Sequence, residues 1–187
     1  MPDLTIALIV IGAIVLLLAI FLISSYNRFV TIRNRVKDQA AQIDVQLKRR
    51  FELIPNLIET VKGVASFERE TIEAVTQARA EAMKSQTLQE STAADQKMTG
   101  ALHRLLAVSE SYPELKASAN FAQLQQELSS TEDKIAMSRQ FYNDTVLKYN
   151  NTIEVFPASI AAGITGFKHI DFLQIAEAER EPVKVSF

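Results

Sequence analysis

The sequence predicts an all-α fold, an N-terminal transmembrane helix continuing into a long-helix up-and-down bundle, and three observations carry that prediction. The chain opens on an uncharged apolar run from Leu4 to Ile23. After it, apolar residues recur at the alternating three- and four-residue steps of amphipathic helices. Among 187 residues there are only five glycines and five prolines, too few turn-formers for a fold of many short strands. The length leaves room for the anchor and one domain. The expected division is a short tail at 1–3, an anchor at 4–25, a cytoplasmic helical bundle at 26–166 and a C-terminal tail at 167–187. That tail packs on the bundle or on a neighbouring subunit.

The anchor comes first. At ~1.5 Å per residue, Leu4 to Ile23 reaches ~30 Å, the hydrocarbon thickness of a bilayer. A cleavable signal peptide would have a basic start, a shorter apolar stretch and a small-residue exit. Here the start is Met1-Pro2-Asp3 and the exit is Ile23-Ser24-Ser25-Tyr26, so an uncleaved anchor is expected. Apolar residues on every face over this length also disfavour a buried core helix. Arg28, Arg33, Arg35 and Lys37 follow the span, whereas only Asp3 and the terminal amine precede it. Basic residues stay on the cytoplasmic side, which puts the N-terminus outside and the domain inside. Within the span, Gly12 is a position where another helix could approach closely.

The soluble elements follow in order. Phe29, Ile32, Val36, Ala40, Ile43, Leu47 and Ile54 make one helical stripe, and no glycine or proline separates it from the span. The first soluble helix is therefore expected to continue the anchor, with a kink or restart at Pro55. The stripe resumes at Leu57, Ile58 and Val61, pauses near Gly63 to Phe67, and continues through Ile72, Val75 and Ala78. Ser85 to Glu90 reads as a loop, and Ser91 as the N-cap of a helix carrying Met98, Leu102, Leu105 and Leu106 that ends at Tyr112-Pro113. The last long helix is a heptad over Phe121, Leu124, Leu128, Thr131, Ile135, Ser138, Tyr142, Thr145 and Tyr149, running to Phe156-Pro157. Its polar seam positions suit packing inside a bundle or against another chain.

The stretch from Ile43 to Gly63, IDVQLKRRFELIPNLIETVKG, resembles the LemA family of bacterial single-pass membrane proteins. Further matches are Tyr26-Asn27, Arg33-Asn34, Ala78-Arg79, Tyr112-Pro113-Glu114-Leu115, Leu124-Gln125, Glu127-Leu128, Thr131-Glu132, Ile135-Ala136 and Arg139. They continue through Tyr142-Asn143, Tyr149-Asn150, Phe156-Pro157, Gly166-Phe167 and the Pro-Val-x-Val-x-Phe end, and so cover nearly the whole chain. The resemblance implies a helical bundle on the inner side of a bacterial cell membrane and no established catalytic activity. It also implies company with other membrane machinery, including an integral-membrane zinc metalloprotease of the envelope stress response.

The residues themselves offer little chemistry, and neither a cofactor, a metal nor a catalytic set is expected. Cysteine is absent, which excludes disulfides, thiolate metal sites and cysteine nucleophiles. His103 and His169 lack the Glu-x-x-His pairing of di-iron bundles. Gly163-Ile164-Thr165-Gly166 has the spacing of an RNA-binding turn without the strands that surround one. The net charge of −2 gives no basic excess, so nucleic acid is not an expected partner.

Three sets are candidates for interaction. Arg49, Glu52, Asn56 and Glu59 share a helix face across Pro55, and are either a solvated face or a patch against a neighbouring helix near Glu132 or Arg139, or against a second subunit. The pairs Tyr142-Asn143 and Tyr149-Asn150 are expected to put rings in the seam and amides at its edge, setting register more than binding a ligand. Val183, Val185 and Phe187 alternate at the end of the tail, which folds back on the bundle or adds as a strand to a partner. Together these features point to a non-enzymatic, membrane-anchored scaffold that forms a homo-oligomer and organises membrane proteins at the cytoplasmic face. The alternative is an adaptor of a membrane protease or of a signalling kinase.

Overall fold

The computed structural model describes residues 2–63 and 68–173. They form six helices: α1 (Pro2–Lys62), α2 (Arg69–Ala82), α3 (Leu88–Ser109), α4 (Pro113–Lys116), α5 (Ala119–Glu154) and α6 (Ala158–Thr165). Among the described residues there is no strand, and the fold is all-α. The described residues sort into two compact units, one of 2–38 with 142–172 and another of 39–63 with 68–141 and 173. Helices α1 and α5 contribute to both.

In the first unit, residues 3–20 of α1 are exposed throughout. They are apolar without a charge from Leu4 onward, which in water would be unfavourable and in hydrocarbon is not. The end of α5, with Val146, Tyr149 and Ile153 buried, and Ala161 and Ala162 of α6 make the core together with Phe29, Ile32 and Val36. Gly166 closes α6 in the left-handed region at φ 74°, a conformation that glycine adopts without the Cβ penalty. The glycine pair of the RNA-like spacing is thus the end of a helix. Next to it the Phe167 ring meets Phe29 at 5.2 Å and Tyr26 at 5.7 Å, both edge-on. The Arg33 guanidinium lies 4.8 Å from its centre, a cation–π arrangement.

In the second unit, α2 packs on α3 and the interior is apolar. Ile43, Leu47, Ile54, Leu57 and Val61 of α1, Val75 of α2, Met98, Leu102 and Leu105 of α3, and Leu128 and Ile135 of α5 are all buried. Each such side chain contributes about 1.5–3 kcal/mol. Helix α3 begins earlier than the sequence reading has it. Thr87, not Ser91, is the N-cap: its hydroxyl accepts from Glu90 N at 3.2 Å, while the Glu90 carboxylate accepts from Gln86 N at 2.8 Å and Thr87 N at 3.4 Å. This reciprocal capping satisfies donors that Ser91, one turn in, could not reach. Pro113 starts the short α4.

Pro55 does not restart α1; the helix runs unbroken to Lys62. Proline has no N–H, so the carbonyl of Phe51 loses its partner four residues on. Arg79 supplies the replacement, its Nε donating to Phe51 O at 3.0 Å. Arg79→Leu should therefore destabilise the fold by about 1–3 kcal/mol, and Pro55→Ala, which returns an N–H to that carbonyl, should rescue it. A double-mutant cycle by denaturant unfolding checks this: the gain from Pro55→Ala must be larger with Leu at 79 than with Arg.

Candidate functional site

A buried ionic cluster in the second unit is the most unusual feature of the sequence once folded. Arg50 projects from the inner face of α1, one residue from the exposed Arg49, and is only 2% exposed. Its Nη1 donates to Asp95 Oδ1 of α3 at 2.9 Å, and its Nη2 lies 3.6 Å from Glu132 Oε2 of α5. Arg139, two turns further along α5, adds positive potential at Asp95. Burial nevertheless pushes the Asp95 carboxyl above its ordinary range, against the opposing pull of Arg50 and Arg139. Arg50 Nε, Arg139 Nη2 and the Thr92 hydroxyl are buried without a hydrogen bond. Removing two charges from water costs several kcal/mol per ion before their attraction offsets it. The cluster thus ties three helices in one register and carries a large penalty if any partner is lost.

This cluster is legible in the stripes. Ile43, Leu47, Arg50 and Ile54 follow steps of four, three and four, and Asp95, Met98, Leu102 and Leu105 follow steps of three, four and three. A charge at a core position of each helix is the signal; a reading that lists only apolar members passes over both.

The polar face named from the sequence stays outside. Arg49, Glu52, Asn56 and Glu59 are all exposed. Glu52 stands 3.9 Å from Lys48 and Glu59 3.4 Å from Lys62, both on α1 itself. The structure brings Arg50, not this face, to Glu132.

The Tyr-Asn pairs lie in the first unit, at the end of α5. Tyr142, Tyr149 and Asn150 are buried and Asn143 is half-buried. Burial raises the pKa of both Tyr142 and Tyr149, with Asp171 adding to the effect at Tyr142. The Tyr149 hydroxyl donates to Lys168 O at 2.9 Å. The Asn150 amide donates to Ile170 O at 2.8 Å and accepts from Ile170 N at 3.0 Å. Asn150 therefore sits inside rather than at the seam's edge, and it treats the returning tail as a neighbouring strand would. Val183, Val185 and Phe187 lie outside the described residues. At Gly12, nothing stands within 4 Å of where a Cβ would be. Among the described residues, no group of three His, Asp or Glu side chains could hold a metal ion.

Residues 39–187 match the family model described as the LemA family. The chain is 26% identical to the magnetosome protein MamQ 2 of Paramagnetospirillum magneticum, over 87% of this chain and 69% of the relative. It is 24% identical to the magnetosome protein MamQ of Magnetospirillum gryphiswaldense, with the same coverage of each. It is 27% identical to the protein LemA of Metamycoplasma hominis, over 86% of this chain and 74% of the relative.

Proposed function

The chain belongs to the LemA family, and from that premise we propose that it is a non-catalytic scaffold, anchored in the inner membrane, that self-associates and organises membrane proteins at the cytoplasmic face. The observation that carries this reading is α1: one helix without a break holds both the apolar span and the ion-paired core residue Arg50. Span and core residue are thus joined by helix and not by a flexible linker, a connection that a merely tethered enzyme would not need. Arg28, Arg35 and Lys37, all exposed just past the span, support the cytoplasmic placement of the head. A position for self-association on α5 is Met137, which is exposed.

The test is the mass and composition of the complex extracted from native membranes in mild detergent, read by native mass spectrometry. A scaffold gives multiples of 20.9 kDa, whereas a monomer carrying stoichiometric foreign chains would replace this reading with the adaptor. The open surface at Gly12 favours that second reading, because a small residue lets another span approach. Gly12→Leu would then release those chains. Orientation is checked on the same preparation before extraction, since the chain has no cysteine of its own: Ser111→Cys should react with an impermeant maleimide only from the cytoplasmic side.

A further inference from the structure

In the first unit, the end of α5 and the start of α6 form an apex of unusual composition. Val155 is 60% exposed and Phe156 77%, and Ile160 and Ile164 follow Phe156 at steps of four along one face of α6. The opposite face, Ala161 and Ala162, is buried. A water-facing surface would not carry this stripe.

Its position explains it. Val155 and Phe156 line a groove of about 510 Å³ together with Phe21 and Ser25 of α1. Phe21 belongs to the apolar span and Ser25 follows its last residues, so the apex stands at the level where the span leaves the hydrocarbon. Phe21 of the span and Val155 and Phe156 of the apex thus share one groove. Leu147 of α5 also lines the groove, and its charged residues are Arg28, Lys148 and Asp144, two cations to one anion.

We infer that the α5–α6 apex is a second membrane contact: Phe156 and the Ile160 face enter the interfacial layer of the bilayer beside the span, and the groove seats a phospholipid of that leaflet with its phosphate at Arg28 and Lys148. An amphipathic surface with aromatic and aliphatic residues on one side and cations above it partitions to this depth, favoured by anionic headgroups. The consequence is functional. A single span can still tilt and rotate in the bilayer, and a second contact beside it limits both motions. The inference rests on the span crossing the bilayer, as proposed above.

The chain has no tryptophan, so single reporters can be placed without background. Phe156→Trp, Leu17→Trp in the span and Met83→Trp on the exposed end of α2 are each reconstituted, as full chains, in vesicles of phosphatidylcholine and phosphatidylglycerol. Doxyl quenchers are carried near the headgroup or deep on the acyl chain. The expected result is a blue-shifted Phe156→Trp emission lost chiefly to the shallow quencher, Leu17→Trp emission lost to the deep one, and Met83→Trp unaffected. Quenching at Leu17→Trp with none at Phe156→Trp overturns the apex contact and leaves the span intact; no quenching at either removes both. Arg28→Gln with Lys148→Gln should abolish the preference of Phe156→Trp quenching for labelled phosphatidylglycerol over labelled phosphatidylcholine. An unchanged preference would overturn the phosphate seat.

Discussion

Arg50→Ala will destabilise the protein by about 3–5 kcal/mol, the cost of leaving a buried carboxylate without its cation. Asp95 is only 3% exposed, so water cannot take over from the guanidinium. Arg50→Met with Asp95→Leu will recover most of that loss, because two apolar side chains of similar volume carry no desolvation penalty. Denaturant unfolding of the full chain in detergent, followed by far-ultraviolet circular dichroism, measures both. If the double variant were as unstable as the single one, packing at position 50 rather than charge would be responsible. The cluster also has a pH signature. Asp95 has its folded-state pKa raised, chiefly by burial, so the folded protein holds that proton more tightly than the unfolded chain. The contribution of this group is therefore least favourable at neutral pH and improves as pH falls through the raised pKa toward the ordinary 3.8. The stability difference between wild type and Asp95→Asn should shift in favour of wild type on acidification; a shift the other way would mean that Arg50 overrides burial.

Ile135→Asp will unfold the second unit rather than merely separate subunits. The heptad of α5 is compatible, as sequence, with a seam against another chain, and such a seam would be dispersed by this substitution. In the structure Ile135 is 2% exposed within a single chain. The change removes a core side chain, at about 2–5 kcal/mol, and takes a carboxylate out of water at a buried position. Helical circular dichroism from the head should collapse, whereas Met137→Asp, at a position 57% exposed on the same helix, should retain it. A folded, monomeric Ile135→Asp protein would show instead that the seam faces a neighbour.

Two polar residues, Thr131 of the heptad and Asn150 next to its last member, have the same explanation as the apolar ones. Thr131 is buried with its hydroxyl donating to Glu127 O at 2.7 Å, and Asn150 is buried on the backbone of Ile170. Both satisfy their polar groups inside the chain, so neither position requires a second subunit. The expectation that the Tyr-Asn pairs set register comes from local spacing alone. It could not name the tail as the element held, because a side chain's partner twenty positions away leaves no mark in a local period.

What the sequence by itself determined is whatever depends on period and composition. The span, the helical class, the run of apolar residues that line each core and the end of α5 near Phe156-Pro157 are consequences of hydropathy at helical spacing, which acts along the chain. The tertiary structure alone decided which long-range partners meet. Arg79 meets the carbonyl that Pro55 leaves free, so a residue that should break α1 is tolerated. Arg50 meets Asp95, so a charge in a core stripe becomes a tie between helices. Phe156 comes to stand beside Phe21, where an exposed aromatic ring is no longer at odds with its surroundings. In each case a local rule predicts a penalty, and the fold offsets it with an atom from another helix.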